Sequence, residues 1–152
     1  SLADIIENDS PGARWHSRQE RDKLLSLMSP LHVGKVRHAI DSGERRVGAV
    51  FKRTRKDRQG RSSQRAEVRF DGVAGCLRTP AGGSSRQIIL IVEGGRARSR
   101  LLSPRESARL MGLPDDYKLP EGSQDAYRLT GDGVAAPVVR WLAQSCIEPS
   151  LP

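Results

Sequence analysis

The chain has 152 residues, of which 36% are hydrophobic and 4% aromatic, so it fits one domain with a modest, loop-rich core. It contains no run of eighteen apolar residues and no signal-peptide pattern, which argues against a membrane-spanning or secreted protein and favours the cytoplasm. The net charge of +8 is concentrated in residues 45–100, which carry 15 basic and 4 acidic side chains, so we expect a polyanionic partner.

Two helices are predicted near the N-terminus. Ser17 and Glu20 have capping-box spacing, and the helix that they begin stops before Pro30. A second helix runs from about Leu31 to Ile40. Their connection lacks the glycine of a helix-turn-helix reader and neither helix has a concentrated basic face, so residues 1–44 are interpreted as a helical lead-in.

The pattern then becomes that of strands. Apolar and other residues alternate from Arg46, and the polar run Thr54–Ser63 is predicted to be a flexible basic loop. Alternation returns over Arg65–Phe70 and places basic side chains on one face, before Asp71-Gly72 turns the chain. The middle of the chain is therefore predicted to present arginines, which suit phosphates and base edges.

A glycine-rich stretch separates these strands from the next. Residues 73–87 contain Pro80, Gly82 and Gly83, which prevent regular structure; the stretch is either a surface turn or a loop that approaches a groove. The apolar run Gln87–Glu93 predicts a central strand, and Gly94-Gly95 turns it into Arg96–Leu102. Residues 45–102 are predicted to form one basic region of strands and loops.

Residues 103–152 are predicted to be helical. Ser103, Pro104 and Glu106 begin a short helix that ends at Gly112, and Arg105 and Arg109 lie one turn apart on it, facing either an anion or solvent. Ser123 caps a helix that ends at Gly131-Asp132-Gly133, and a last helix spans about Val134–Cys146. The expected fold is α+β, a small twisted, mostly antiparallel sheet with irregular loops, flanked by helices at both ends.

The order of these segments resembles the C-terminal part of DNA cytosine-5 methyltransferases over roughly residues 45–145. The two segments that carry the resemblance are RLLSPRESARLMGLPD, residues 100–115, and GDGVAAP, residues 131–137, preceded by Tyr127. The resemblance implies that the first is the family's ninth motif, which organises the target recognition domain, and that the second is the tenth. It further implies that the helix of the tenth motif packs on the cofactor domain.

The resemblance also implies site residues. The tenth motif places Asp132, Gly133 and Val134 at the S-adenosylmethionine pocket, with Asp132 where the family usually has asparagine. Residues 71–87 resemble the recognition loop that enters the major groove, with Cys76 in place of the usual threonine and Thr79 as a substitute phosphate contact. The residues expected to bind double-stranded DNA are Arg53, Arg55, Arg69, Arg78, Thr79, Ser84, Ser85 and Arg86. Those expected to hold the ninth motif together are Arg100, Arg105, Glu106 and Arg109.

The family's catalytic motifs are missing from this sequence. No Pro-Cys nucleophile is present, and Cys76 and Cys146, which lack metal-ligand spacing, are predicted to be reduced, inert thiols. No catalytic residue and no metal site are predicted, and most of S-adenosylmethionine would be bound by a missing N-terminal part. The start at Ser1 without methionine favours a fragment of a longer enzyme over a natural subunit of a split one.

We therefore expect this chain to be the DNA-recognition and C-terminal portion of a bacterial, cytoplasmic DNA cytosine-5 methyltransferase of a restriction-modification system. The complete enzyme would transfer methyl from S-adenosylmethionine to C5 of a flipped cytosine, and this chain would be inactive by itself. Its partners would be double-stranded DNA and the missing catalytic domain or subunit. The alternative is a non-catalytic DNA-binding module or specificity subunit with the same architecture. A third possibility is that the basic region is a solvated surface without a nucleic-acid role.

Overall fold

Helices and strands alternate in blocks along the chain. A computed structural model describes residues 1–7, 13–56, 59–79 and 86–150. The elements are α1 Leu2–Ile5, α2 Arg18–Ser26, α3 Pro30–Asp41, β1 Arg46–Lys56, β2 Ser62–Arg69, β3 Ile88–Glu93, β4 Arg96–Leu101, α4 Pro104–Leu110, α5 Ser123–Asp132 and α6 Ala136–Leu142. A π-helical turn, Ala143–Ile147, and a 3₁₀ turn, Glu148–Ser150, follow α6. The predicted α+β class is confirmed.

The chain divides into two compact units. The first unit comprises Ser1–Gly75 and Gln87–Leu102, and the second comprises Cys76–Arg86 and Ser103–Pro152. All four strands belong to the first unit, and α4, α5 and α6 belong to the second.

The sheet of the first unit is antiparallel, with strand order β2-β1-β3-β4. Strand β3 is internal, and its residues from Ile88 to Val92 are buried, as a continuous apolar run predicts. Gly94 and Gly95 join β3 to β4 with positive φ angles, which confirms the predicted turn.

Helices α2 and α3 cover one face of this sheet. The core that they share with the strands contains Leu24, Met28, Val36, Ala39, Val50, Ala66, Val68, Ile88, Leu90, Val92 and Ala97. Helix α2 begins at the predicted capping box, in which Ser17 Oγ accepts a hydrogen bond from the amide of Glu20 at 3.1 Å. The lead-in helices are therefore packing elements of the sheet.

The predicted loop Thr54–Ser63 is wrong at both ends, residues 59–61 lie outside the strands, and residues 57–58 lie outside the described ranges. Strand β1 continues to Lys56 and β2 begins at Ser62, and the two pair in register from Ala49 opposite Arg69 to Lys56 opposite Ser62. The sequence hides these strand ends because they are polar on both faces and show no contrast of period two. The backbone hydrogen bonds between the strands hold the extension together.

The free side of β4 is partly covered by the segment before α2. Trp15 forms an antiparallel bridge with Arg100, and the amide of His16 donates to the carbonyl of Ser99 at 2.9 Å. Arg100 is fully buried; its Nη2 donates to the Glu7 carbonyl at 2.7 Å and its Nη1 to the Leu101 carbonyl at 3.1 Å. Arg100, predicted to hold the ninth motif, thus fastens the N-terminal segment to the sheet.

The His16 ring should make the stability of the protein depend on pH. Burial lowers the pKa of His16, whose Nδ1 lies 3.0 Å from Ser99 Oγ, so the folded state favours the neutral ring. As the pH falls below about 6.5, the unfolded chain binds this proton more readily than the folded chain, and the free energy of unfolding falls. We expect His16→Gln to flatten the loss of stability between pH 7.5 and pH 5, measured by urea unfolding. The exposed His38 provides the control, and an equal flattening by His38→Gln would contradict the assignment to His16.

The second unit is built around three short helices. Helix α4 begins at the predicted capping box, with the Ser103 amide donating to Glu106 Oε2 at 2.8 Å, and ends before Gly112, whose φ is +73°. The N-cap of α5 is Gly122, so the predicted cap Ser123 is wrong by one residue, because Ser123 already has helical geometry. The last helix begins at Ala136, not Val134, and becomes π-helical after Leu142.

Candidate nucleic-acid interface

Strands β1 and β2 extend beyond the rest of the sheet as a two-stranded ribbon. Strand β3 pairs with β1 only over Arg46–Val50, whereas β2 accompanies β1 to Lys56. We call residues 51–56 and 62–67 the basic ribbon. Residues 52–56 and 62–65 of the ribbon are exposed, so a polar partner can reach both of its faces.

One face of the basic ribbon carries arginines. Arg53 lies directly opposite Arg65, and residues that face each other across antiparallel strands project to the same side. Alternation along β1 puts Arg55 on this side, and Ala49 opposite Arg69 extends it toward the sheet. The opposite side holds Val50, Ala66 and Val68, which belong to the core. We call Arg53, Arg55, Arg65 and Arg69 the arginine face.

Two of these arginines have internal carboxylate partners and two do not. Arg53 Nε lies 3.8 Å from Glu67, and both side chains are substantially exposed. Arg69 Nε donates to Asp71 at 2.9 Å, and this hydrogen bond lowers the pKa of Asp71. Arg55 and Arg65 form no ion pair with any described residue. Exposed pairs of this kind contribute little to stability, so a phosphate can compete for all four guanidiniums.

A second group of predicted DNA-binding residues contacts α5 from the segment that precedes β3. The Thr79 hydroxyl donates to the Asp132 carboxylate, and the Arg86 guanidinium lies 5.2 Å from the centre of the Tyr127 ring. The Arg78 side chain is exposed. Ser84 and Ser85, also predicted to bind DNA, lie outside the described residues.

The predicted cofactor residues occupy the end of α5 and the connection to α6. Asp132 is the last residue of α5, Gly133 is its C-cap, and Val134 is 68% exposed. The Asp132 carboxylate has Thr79 as a partner, which the sequence did not indicate. The geometry thus joins a residue predicted to bind DNA to one predicted to bind the cofactor.

The four residues predicted to hold the ninth motif together all have partners within the chain. Glu106 is fully buried in the α4 capping box, and Arg100, a residue of β4, is buried with its guanidinium bound to the Glu7 carbonyl. Arg109 Nε lies 2.6 Å from Asp115, and this hydrogen bond lowers the pKa of Asp115. Arg105 donates to the carbonyl of Tyr117 at 2.9 Å. Of the two expectations for Arg105 and Arg109, an anion or solvent, neither describes both residues fully: Arg109 binds the Asp115 carboxylate and Arg105 binds backbone carbonyls, all in the turn that follows α4.

Sequence reasoning missed one feature in each of the two units. In the first unit, Arg65 was placed on the basic face of a predicted strand but not among the DNA-binding residues; the register of β1 and β2 sets it opposite Arg53. The described part of α6 and its flanks also exposes large apolar side chains, namely Val134, Val138, Val139, Trp141, Leu142 and Ile147. We call these residues the α6 apolar patch. The predicted helical face contained several of them but did not show that the chain leaves them uncovered.

The described residues were also searched for a cofactor groove, a metal site, paired cysteines and a membrane-spanning helix. A groove of about 660 Å³ lies beside α3, lined by Leu31, Lys35, Phe70 and neighbouring residues, and its lining includes none of the predicted cofactor residues. Among the described ranges we find no cluster of three His, Cys, Asp or Glu side chains that could hold a metal ion. Cys76 and Cys146 are exposed free thiols. No helix in the described residues has the length and hydropathy needed to cross a bilayer.

The family profile described as C-5 cytosine-specific DNA methylase matches residues 2–148. The chain belongs to this family. The match extends well before residue 45, where the resemblance in the sequence began, and therefore includes α2 and α3.

Curated members of the cytosine-5 methylase family resemble parts of the chain. Over 56 residues it is 41% identical to the Type II methyltransferase M.NlaX of Neisseria lactamica, covering 37% of this chain and 18% of that protein. Over 58 residues it is 34% identical to M.SsoII of Shigella sonnei, covering 38% and 15%. Over 46 residues it is 52% identical to DNA (cytosine-5)-methyltransferase CMT2 of Oryza sativa subsp. japonica, covering 30% and 4%.

These matches span less than a fifth of the length of each relative. No solved structure matches the chain significantly.

Proposed function

We propose that this chain is the DNA-recognition and C-terminal portion of a cytosine-5 DNA methyltransferase of the restriction-modification type, and that the catalytic residues belong to another segment or subunit. The observation that carries the proposal is the arginine face, which presents three guanidiniums on one side of the exposed ribbon and a fourth, that of Arg69, just beyond it, in a member of this family. Its chemistry suits the phosphates of a duplex, and duplex DNA is the substrate that the family implies.

Two parts of the chain would contact DNA in different ways. The arginine face would bind phosphates, which sets the position of the protein but reads no sequence. The segment 76–86, with the exposed Arg78, would supply contacts to base edges. In this proposal residues 45–102 form the recognition region, and residues 103–152 connect it to the catalytic part.

The residues that connect α5 to α6 have the chemistry to line only the edge of a cofactor pocket. Gly133 has no side chain, and Val134 is two-thirds exposed and apolar, so the pair can form a wall beside a ligand. The Asp132 carboxylate is occupied by Thr79. S-Adenosylmethionine supplies the methyl group when bound, and its charged groups would be held mostly by residues outside this chain.

The exposure of the α6 apolar patch favours a protein partner that covers it. Trp141 is 62% exposed and Val138 is 49% exposed, and monomeric proteins rarely leave such side chains grouped on their surfaces. The family resemblance implies that the helix of the tenth motif packs on the cofactor domain. We propose that the patch is the surface that binds the catalytic part.

Binding to a duplex at several salt concentrations tests the proposed function. Each phosphate contact that releases counterions contributes about −0.9 to the slope of log K against log salt, so four contacts predict a slope near −3.6. Fluorescence anisotropy of a labelled 30-base-pair duplex measures this slope. A flat response would show that the basic region is a solvated surface.

Reconstitution separates an enzyme portion from a non-catalytic module. The chain is mixed with the catalytic portion of a related methyltransferase, and transfer of labelled methyl groups to cytosine is measured. We expect activity from the wild-type mixture and a loss of at least tenfold with Trp141→Ser, which leaves DNA binding unchanged. Intact DNA binding with no methyl transfer in any mixture would favour the non-catalytic module.

A further inference from the structure

The segment 76–86 is attached to α5 near both of its described ends. Thr79 donates its hydroxyl proton to the Asp132 carboxylate, and Arg86 stacks on Tyr127. Tyr127 and Gly131 are four residues apart, so they lie on the same side of α5, one turn from each other. The two flanks of the segment therefore rest on one side of a single helix.

Gly131 makes the contact with Thr79 possible. A Cβ atom at Gly131 would lie 2.5 Å from the Thr79 nitrogen, 2.6 Å from the Arg78 carbonyl carbon and 2.9 Å from its oxygen. These neighbours are backbone atoms, which cannot rotate away as a side chain can. The backbone of residues 78–79 thus lies directly on the last turn of α5, at a distance that only glycine allows.

Asp132 is an unfavourable residue for the place that it occupies. The C-terminal end of a helix carries partial negative charge, which repels a carboxylate in the last turn. A hydroxyl that donates to this carboxylate offsets the repulsion, and a hydrogen bond to an ionised acceptor is stronger than one to a neutral amide. The contact with Thr79 therefore accounts for a carboxylate at this end of α5.

We propose that Asp132 is a positioning residue for DNA recognition: together with Gly131 it fixes residues 78–79 on α5 and so directs the exposed Arg78 toward one base edge. This inference rests on the proposed function, because it assigns the DNA contact to Arg78. Fixing the backbone beside Arg78 narrows the directions that its side chain can take. Selectivity for one sequence depends on this direction, whereas attraction to phosphates in general does not.

The experiment compares variants that remove or keep the hydrogen bond. Asp132→Ala and Thr79→Val remove it, and Asp132→Asn and Thr79→Ser keep an acceptor and a donor. Asp125→Ala is the charge-matched control, because Asp125 is an exposed acid on the same helix whose partner is Arg128. Thr79→Val lies outside α5, so its effect does not depend on the stability of the helix.

Two measurements are made on each variant. Hydrogen exchange of the amides at residues 76–79 and 86–87 should accelerate about fivefold or more when the bond is removed, since a net hydrogen bond contributes about 1 kcal/mol. The preference for a duplex selected from a random pool over its scrambled sequence should fall about tenfold or more, which is the size of one base-edge contact. The salt slope should stay that of the wild type, and Asp132→Asn, Thr79→Ser and Asp125→Ala should keep both properties.

The outcomes separate this inference from the proposed function. If the wild-type chain shows no salt-dependent DNA binding, the proposed function fails and this inference fails with it. If the wild type binds selectively and Asp132→Ala changes neither exchange nor selectivity, this inference alone is overturned. A loss of S-adenosylmethionine binding with unchanged selectivity would assign Asp132 to the cofactor and would also overturn it.

Discussion

The triple substitution Arg53→Gln, Arg55→Gln and Arg65→Gln should weaken binding to duplex DNA about a hundredfold at 0.15 M salt. The three guanidiniums lie together on one side of the basic ribbon because Arg53 pairs with Arg65 in register and Arg55 follows two residues later. Three lost phosphate contacts should also reduce the slope of log K against log salt by about 2.7. Anisotropy titrations at four salt concentrations measure both quantities.

A second triple substitution controls for net charge. Arg18, Lys23 and Arg37 are exposed on α2 and α3, the helices that cover the core face of the sheet, on the side opposite the arginine face. Replacing them with glutamine removes the same three charges. We expect a slope within about one unit of the wild type, because these side chains would not touch phosphates. Equal losses in the two triples would mean that total charge, and not the ribbon, governs binding.

A further variant separates charge from geometry at the same positions. Lysine at residues 53, 55 and 65 retains three positive charges but cannot bind a phosphate through two parallel hydrogen bonds. The salt slope should therefore remain near that of the wild type while the affinity falls moderately. The ribbon assignment would be contradicted by a slope as shallow as that of the glutamine triple.

The elements predicted correctly are those whose signals are local. The capping boxes at Ser17 and Ser103 form because hydroxyl and carboxylate are three residues apart on a helix start. Strand β3 is internal because its five buried residues cannot face water on either side. In each case the residues that decide the structure lie within one short stretch of sequence.

The elements that were missed depend on partners far along the chain. The ends of β1 and β2 are polar on both faces, and only their mutual register makes them strands. The four-residue α1 has too short a pattern to predict, although the Leu2 amide binds the Gly72 carbonyl at 2.7 Å. Tertiary pairing supplies the information that periodicity lacks.

The candidate site likewise combines features that local sequence indicates with features that depend on contacts between distant residues. The arginines could be named from composition, and Arg53, Arg55 and Arg69 do share a face. The contact between Thr79 and Asp132 joins residues 53 positions apart, so no spacing rule could reveal it. Arg105 and Arg109 were recognisable as neighbours, but their partners depend on how the chain turns after α4.

Arg100→Ala should cost about 3–5 kcal/mol of unfolding free energy, a large share of the stability of a small domain. The guanidinium is fully buried, and its removal leaves the Glu7 and Leu101 carbonyls without the donors that they have now. It also lies 5.2 Å from the centre of the Trp15 ring, so the N-terminal segment loses a packing partner as well as two hydrogen bonds. Urea unfolding followed by tryptophan fluorescence measures the change.

Arg98 provides a matched control for the Arg100 prediction. It lies 4.2 Å from the same Trp15 ring but is exposed, so Arg98→Ala removes a cation–π contact without removing a donor from the Glu7 and Leu101 carbonyls and should cost about 0.5–1 kcal/mol. Arg100→Lys should fall between the two, because lysine keeps the charge but cannot reproduce the planar donors that reach both carbonyls. Similar losses for Arg98→Ala and Arg100→Ala would show that stacking on Trp15, and not the hydrogen bonds of Arg100, fastens this segment to β4.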